Sequence, residues 1–127
     1  MSNLIVTNVN GEVVYDPSSD LGRAKGYSVI DGRDTFALLD SYNVSSIVDN
    51  GVSLYTTNLT NAMANIHYPI TITGDWPTSM YAAAGSVTSA GGNTVSTTSF
   101  QCRWVEVSNG ATYDINRATS VVDGALA

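Results

Sequence analysis

The chain has 127 residues, enough for one domain with a single modest core. Hydrophobic residues make up 43% and charged ones only 13%; Ser, Thr, Asn and Gly fill the gap, and their side chains compete with a helical backbone for hydrogen bonds. A formal charge of -6 with no basic run argues against nucleic-acid binding by phosphate neutralisation and against docking on an anionic membrane.

In chain order, residues 4–9 are rich in β-formers, Asn10-Gly11 is a hairpin dipeptide, and 12–15 form the return strand. The polar, proline-containing break at 16–20 then separates an N-terminal arm or β-ribbon, residues 1–22, from a body, residues 23–127. In the body, strands are expected over 26–30, 35–43, 44–48 and 52–59. Asp31-Gly32 and Asp49-Asn50-Gly51 are the intervening turns, and Val52, Leu54 and Thr56 share a face by period two. Residues 61–66 read as a short loop or single helical turn.

Residues 67–73 alternate, with Tyr68, Ile70 and Ile72 on one face, and Pro69 marks an exposed edge or a bulge. Residues 80–88 are small-residue strand material with a bulge expected at Gly85, and 89–93 form a flexible turn. The strongest strand signal is 96–107, which places Phe100, Cys102, Trp104 and Glu106 on one face. Asn109-Gly110 predicts a hairpin returning over 112–115, and the tail at 117–127 is a strand around 120–122 or an arm. No window shows capped 3.6-residue periodicity. The expected architecture is therefore all-β: a small antiparallel β-sandwich or barrel-like domain with a short N-terminal arm.

Chemistry is sparse. His67 is the only histidine and Cys102 the only cysteine, so neither an intrachain disulfide nor a His/Cys metal centre can be assembled in one chain. Cys102 reads as a buried, inert thiol. Asp31, Asp34 and Asp114 lack the spacing of a calcium loop, and no nucleophile elbow or phosphate-cradling glycine loop is present. The triplets beginning at Asn43 and Asn58 match glycosylation acceptors but arise by chance in so Asn- and Thr-rich a chain. No cofactor and no enzymatic role are expected. Trp76, Tyr81 and Trp104 could build a sugar-stacking face, but core packing is the favoured use. The N-terminus carries neither a basic start nor a long apolar run, so synthesis in a cytoplasm is expected.

Residues 41–73 combine Asn43-Val44-Ser45-Ser46-Ile47, the Asp49-Asn50-Gly51 turn, Thr60-Asn61-Ala62-Met63 and Asn65-Ile66-His67-Tyr68 in that order. This stretch resembles a domain common at the C-terminal end of bacteriophage tail fibres. Thr97-Thr98-Ser99-Phe100-Gln101-Cys102-Arg103 is similar to that domain's penultimate strand, and Ala24-Lys25-Gly26-Tyr27 with Asp31-Gly32 stands where the family enters its first strands. The resemblance spans residues 24–107; the last residues, 120–127, match the family's final strand poorly. It implies a phage virion surface protein, most simply a head decoration or head-fibre protein forming a homotrimer and held to other virion proteins by residues 1–22. The alternative is a short tail-fibre or spike component that binds a host glycan, with Trp76, Tyr81, Gly91, Gly92 and Asn93 as contacts. A polysaccharide-cleaving enzyme is a third reading, but no acid or base is nominated for it.

Overall fold

The computed structural model describes residues 7–9, 12–14, 23–75, 83–87, 95–106 and 111–127. These form ten strands and, among the described residues, no helix. β1 (Thr7–Val9) and β2 (Glu12–Val14) make a two-stranded antiparallel sheet in which Val9 pairs with Glu12; Asn10-Gly11 itself lies outside the described residues. β3 (Gly26–Asp31), β4 (Ala37–Tyr42), β7 (Ile70–Asp75) and β10 (Arg117–Val122) form one sheet in the order β4-β3-β10-β7. β5 (Val44–Gly51), β6 (Leu54–Leu59), β8 (Ala83–Val87) and β9 (Ser99–Glu106) form the second in the order β5-β6-β9-β8. All pairings are antiparallel. The two four-stranded sheets enclose one core, which makes the body a small β-sandwich.

The core follows from strict alternation. β9 buries Phe100, Cys102, Trp104 and Glu106 and turns Ser99, Gln101, Arg103 and Val105 away, as its sequence pattern predicts. The facing sheet contributes Ile30, Ala118 and Val122, and loops add Met63, Tyr68 and Ile115. Tyr55 packs between Phe36 and Trp104, with ring centroids at 5.1 and 5.6 Å. The Trp104 indole N–H donates to the Thr73 carbonyl at 2.8 Å, tying β9 to β7 across the sandwich. Between the sheets, Ser28 Oγ meets Ser120 Oγ at 2.7 Å and Thr57 Oγ1 at 3.3 Å, so three buried hydroxyls satisfy one another.

Four expectations need correction. Val52 does not share a strand face with Leu54 and Thr56: it lies in the turn before β6 and is exposed, and the core face of β6 is Tyr55, Thr57 and Leu59, with Leu54 also buried. Asp49-Asn50-Gly51 does not reverse the chain. The Asp49 carboxylate accepts the Gly51 N–H at 3.1 Å and Gly51 has φ +143°, but Asn50 is absorbed as a bulge within β5. The reversal comes at Val52-Ser53, where Ser53 (φ +54°) is buried and donates its hydroxyl to the Tyr113 carbonyl. Contacts from residues 113 and 114, distant in sequence, decide where the hairpin turns.

The third correction concerns Gly85, which pairs with Trp104 in an unbroken β8–β9 register; a regular ladder, not a bulge, runs through it. The fourth concerns 112–115, which are not a strand; the Glu106 N–H donates to Ala111 O, and the segment then crosses over to enter β10. Asn109-Gly110 lies outside the described residues. The tail is no free arm: β10 is an inner strand of the first sheet, and residues beyond it pair with 62–64 through Ala64 N–H to Ala125 O (2.8 Å) and Ala127 N–H to Ala62 O (2.9 Å).

Candidate interaction surface

The sequence-predicted contacts Trp76, Tyr81, Gly91, Gly92 and Asn93 all lie outside the described residues. Trp104, the third aromatic of the suggested sugar-stacking face, is 2% exposed and engaged in the core, so it cannot present its ring to a ligand. His67 is exposed, its backbone N–H bonded to the Asn65 side chain. Cys102 is fully buried, and burial pushes its thiol up to about 12, which makes it unreactive at neutral pH. Asp31 is held below the usual carboxylate range by the side chain and then the backbone N–H of Arg33, which leaves it paired with a cation rather than open to one. Among the described residues no group of three or more His, Cys, Asp or Glu converges, and no pocket is enclosed.

What the described residues do present is an edge and a face. β4 and β5, consecutive in the chain, border opposite sheets on the same side of the sandwich, joined at Asn43. Asn43 makes this corner because it tolerates φ +55° and because its side chain fastens two other backbone segments, at Lys25 and Asn61. Its Nδ2 donates to Lys25 O at 2.9 Å, and its Oδ1 accepts the Asn61 N–H at 2.7 Å. Both edge strands are broken by bulges. Leu39 is the extra residue of β4, between Leu38 opposite Ile30 and Asp40 opposite Val29; Ser45 and Asn50 are the extras of β5. Bulged edges present no continuous row of donors and acceptors, so a further strand has little to pair with.

The outward face of the first sheet carries two aromatics, the part-exposed Tyr27 and the exposed Tyr42. Gly26, Ser28 and Ile30 are buried, so Tyr27 and Val29 point out. Tyr27 lies opposite Tyr42, with ring centroids 6.3 Å apart and planes tilted by 31°, and Tyr42 is 55% exposed. On its other side Tyr27 faces Val121, which faces Thr71 on β7. In the neighbouring row Asp40 stands opposite Val29. One Asp40 oxygen accepts the Ser41 N–H at 2.8 Å and the other the Tyr27 hydroxyl at 3.4 Å. The Asp40 charge, then partial burial, raise the Tyr27 phenol above its ordinary value, so the ring stays neutral. Sequence reasoning did not single out this pair, because Tyr27 and Tyr42 are brought together by the β3–β4 register and lie fifteen positions apart in the chain.

No family model, curated protein or solved structure matches the chain.

Proposed function

We propose that this protein is a structural component of a bacteriophage particle, exposed on the virion surface and most simply a head decoration protein. The observation that carries the reading is the way the resembling residues come together. The 41–73 stretch builds the β5–β6 hairpin, the corner at Met63 and Tyr68, and the start of β7, and the 97–103 stretch supplies β9. β9 pairs with β6, Met63 N–H donates to Thr97 O at 2.7 Å, and Tyr68 Oη donates to Ser96 O at 2.8 Å. Two stretches resembling one family in separate parts of the chain thus form one packed unit, as a shared domain requires. The bulges on the β4 and β5 edges make those two edges poorly suited to strand pairing with a further chain. On this reading residues 1–22 attach the body to the particle, the body is a homotrimer, and the protein performs no catalysis.

The test is the ratio of this chain to the major shell protein in purified particles, by quantitative mass spectrometry. A ratio near the shell's own stoichiometry supports head decoration. A few copies per particle would move the protein to the tail, and absence from the particle would overturn the reading.

A further inference from the structure

The Asp49-Asn50-Gly51 stretch, a turn by its sequence and a bulge in the fold, gathers the groups of a known amide chemistry. Of the chain's three Asn-Gly dipeptides it is the one among the described residues. Asn50 has no partner in the β5–β6 register, since Asp49 pairs with Tyr55 and Gly51 with Leu54. All three residues of the stretch are exposed. The Asn50 side-chain carbonyl Oδ1 accepts the Thr56 hydroxyl at 2.5 Å, and the Gly51 N–H donates to Asp49 Oδ1 at 3.1 Å. Gly51 has φ +143° and open space where a Cβ would stand, so its nitrogen is uncrowded. We propose that Asn50 is a self-modification site, at which the folded bulge promotes attack of the Gly51 nitrogen on the Asn50 side-chain amide and water completes the conversion to aspartate and isoaspartate.

The step balances with water as the one co-reactant. The Gly51 nitrogen bonds to Asn50 Cγ as its proton passes to the Asp49 carboxylate. The carbonyl electrons move onto Oδ1, where the Thr56 hydroxyl stabilises the developing oxyanion. The Cγ–Nδ2 bond then breaks, and Nδ2 takes the proton from Asp49 and leaves as ammonia. Water adds to either carbonyl of the resulting five-membered imide and cleaves its bond to nitrogen. That nitrogen regains a proton, and a carboxylate is left on the chain. A regular strand would oppose imide closure, because its ladder holds the peptide in place; an unpaired bulge residue on an edge strand is free of that restraint. Position, oxyanion donor and proton acceptor are thus supplied by the fold in addition to the dipeptide itself. The product places a further negative charge beside Asp49 and, as isoaspartate, lengthens the β5 backbone at the hairpin end.

The inference does not depend on the virion reading, because every reacting group lies in the β5–β6 hairpin. The experiment holds the full chain near neutral pH, well below its Tm and in parallel in urea, and follows residue 50 by peptide mapping with mass spectrometry, with aspartate and isoaspartate peptides separated by chromatography. In the folded chain Asn50 should give both products. Thr56→Val should slow this about tenfold, the worth of one lost hydrogen bond, and Thr56→Ser should restore it. In urea Thr56→Val should have no effect. Destabilisation by Thr56→Val would act in the opposite sense, by exposing more unfolded chain, so slowing reports the hydroxyl itself. Asp49→Asn, which keeps an acceptor but cannot take the proton, should also slow the folded chain. The proposal is overturned if Asn50 stays an amide in the folded chain over the time in which the urea-unfolded chain converts it. Equal rates for the folded wild type and Thr56→Val, or the same slowing in urea, would overturn it as well.

Discussion

Gly32 shows how a single position is constrained by space rather than by backbone angle. A Cβ there would stand 1.8 Å from Tyr55 Oη and 2.6 Å from Cζ, and the Tyr55 ring is wedged between Phe36 and Trp104 with nowhere to move. Gly32→Ala should therefore destabilise by about 3 kcal/mol through overpacking, read as a lower urea midpoint at unchanged slope. Asn43 is constrained differently, by φ +55° and by its hydrogen bonds. Asn43→Ala should cost about 2–3 kcal/mol, and Asn43→Gly about 1 kcal/mol less, because glycine loses the bonds but not the backbone angle. If the two variants were equally stable, the left-handed conformation would not matter. Cys102, Tyr55 and Tyr68 each have their proton held to about 12, chiefly by burial. The unfolded chain ionises these groups first, near their ordinary values of 9.0 and 10.0, so stability should be level below pH 9 and fall as pH rises toward 12. Urea unfolding across that range checks the sign, and Cys102→Ala should flatten the first part of the fall.

Among the elements, the bulged edge strands make the sharpest prediction. Deleting Leu39 would leave Leu38 inward and Asp40 outward, so alternation survives while the β4 edge becomes straight. The shortened protein should fold and then self-associate with concentration, seen by sedimentation; a strictly monodisperse product would mean that the bulge does not guard the edge. β9 and β7 were legible from alternation because aromatic and β-branched residues fill one face of each, and Pro69 correctly marks β7 as an edge strand. β6 was not legible in the same way. Its residues Leu54 and Tyr55 are both apolar and adjacent, so period two allows either face, and the register that sets Tyr55 opposite Cys102 and Thr57 opposite Phe100, with the Tyr55 ring against Trp104, selects Tyr55.

For the molecule as a whole, the last strand is structurally central. β10 sits between β3 and β7, near the start and the middle of the body, so the first sheet cannot close until residues 117–122 are present. Removing residues 117–127 should therefore abolish cooperative folding, giving a collapsed amide spectrum, whereas removing 123–127 alone should lower the Tm and leave the fold intact. The shorter truncation removes three backbone bonds, to residues 62, 64 and 69, and uncovers Met63 and Tyr68, a loss confined to one end. A folded product from the longer truncation would show that β3 and β7 can pair without β10.

The amino-acid sequence alone determined the class of this protein: few charges, many β-favouring polar residues and period-two apolar strands leave only an antiparallel β domain. It also located the first hairpin, the main core strand and the inert cysteine, because each depends on neighbours a few residues away. The tertiary structure decided which face of β6 is inside, where the Asp49-Asn50-Gly51 stretch bulges rather than turns, and that the tail is an inner strand. It also decided that Tyr27 and Tyr42 stand outside together. Each of these rests on contacts between residues far apart in the chain, such as Ser28 with Ser120 or Ser53 with Tyr113, and no local pattern encodes them.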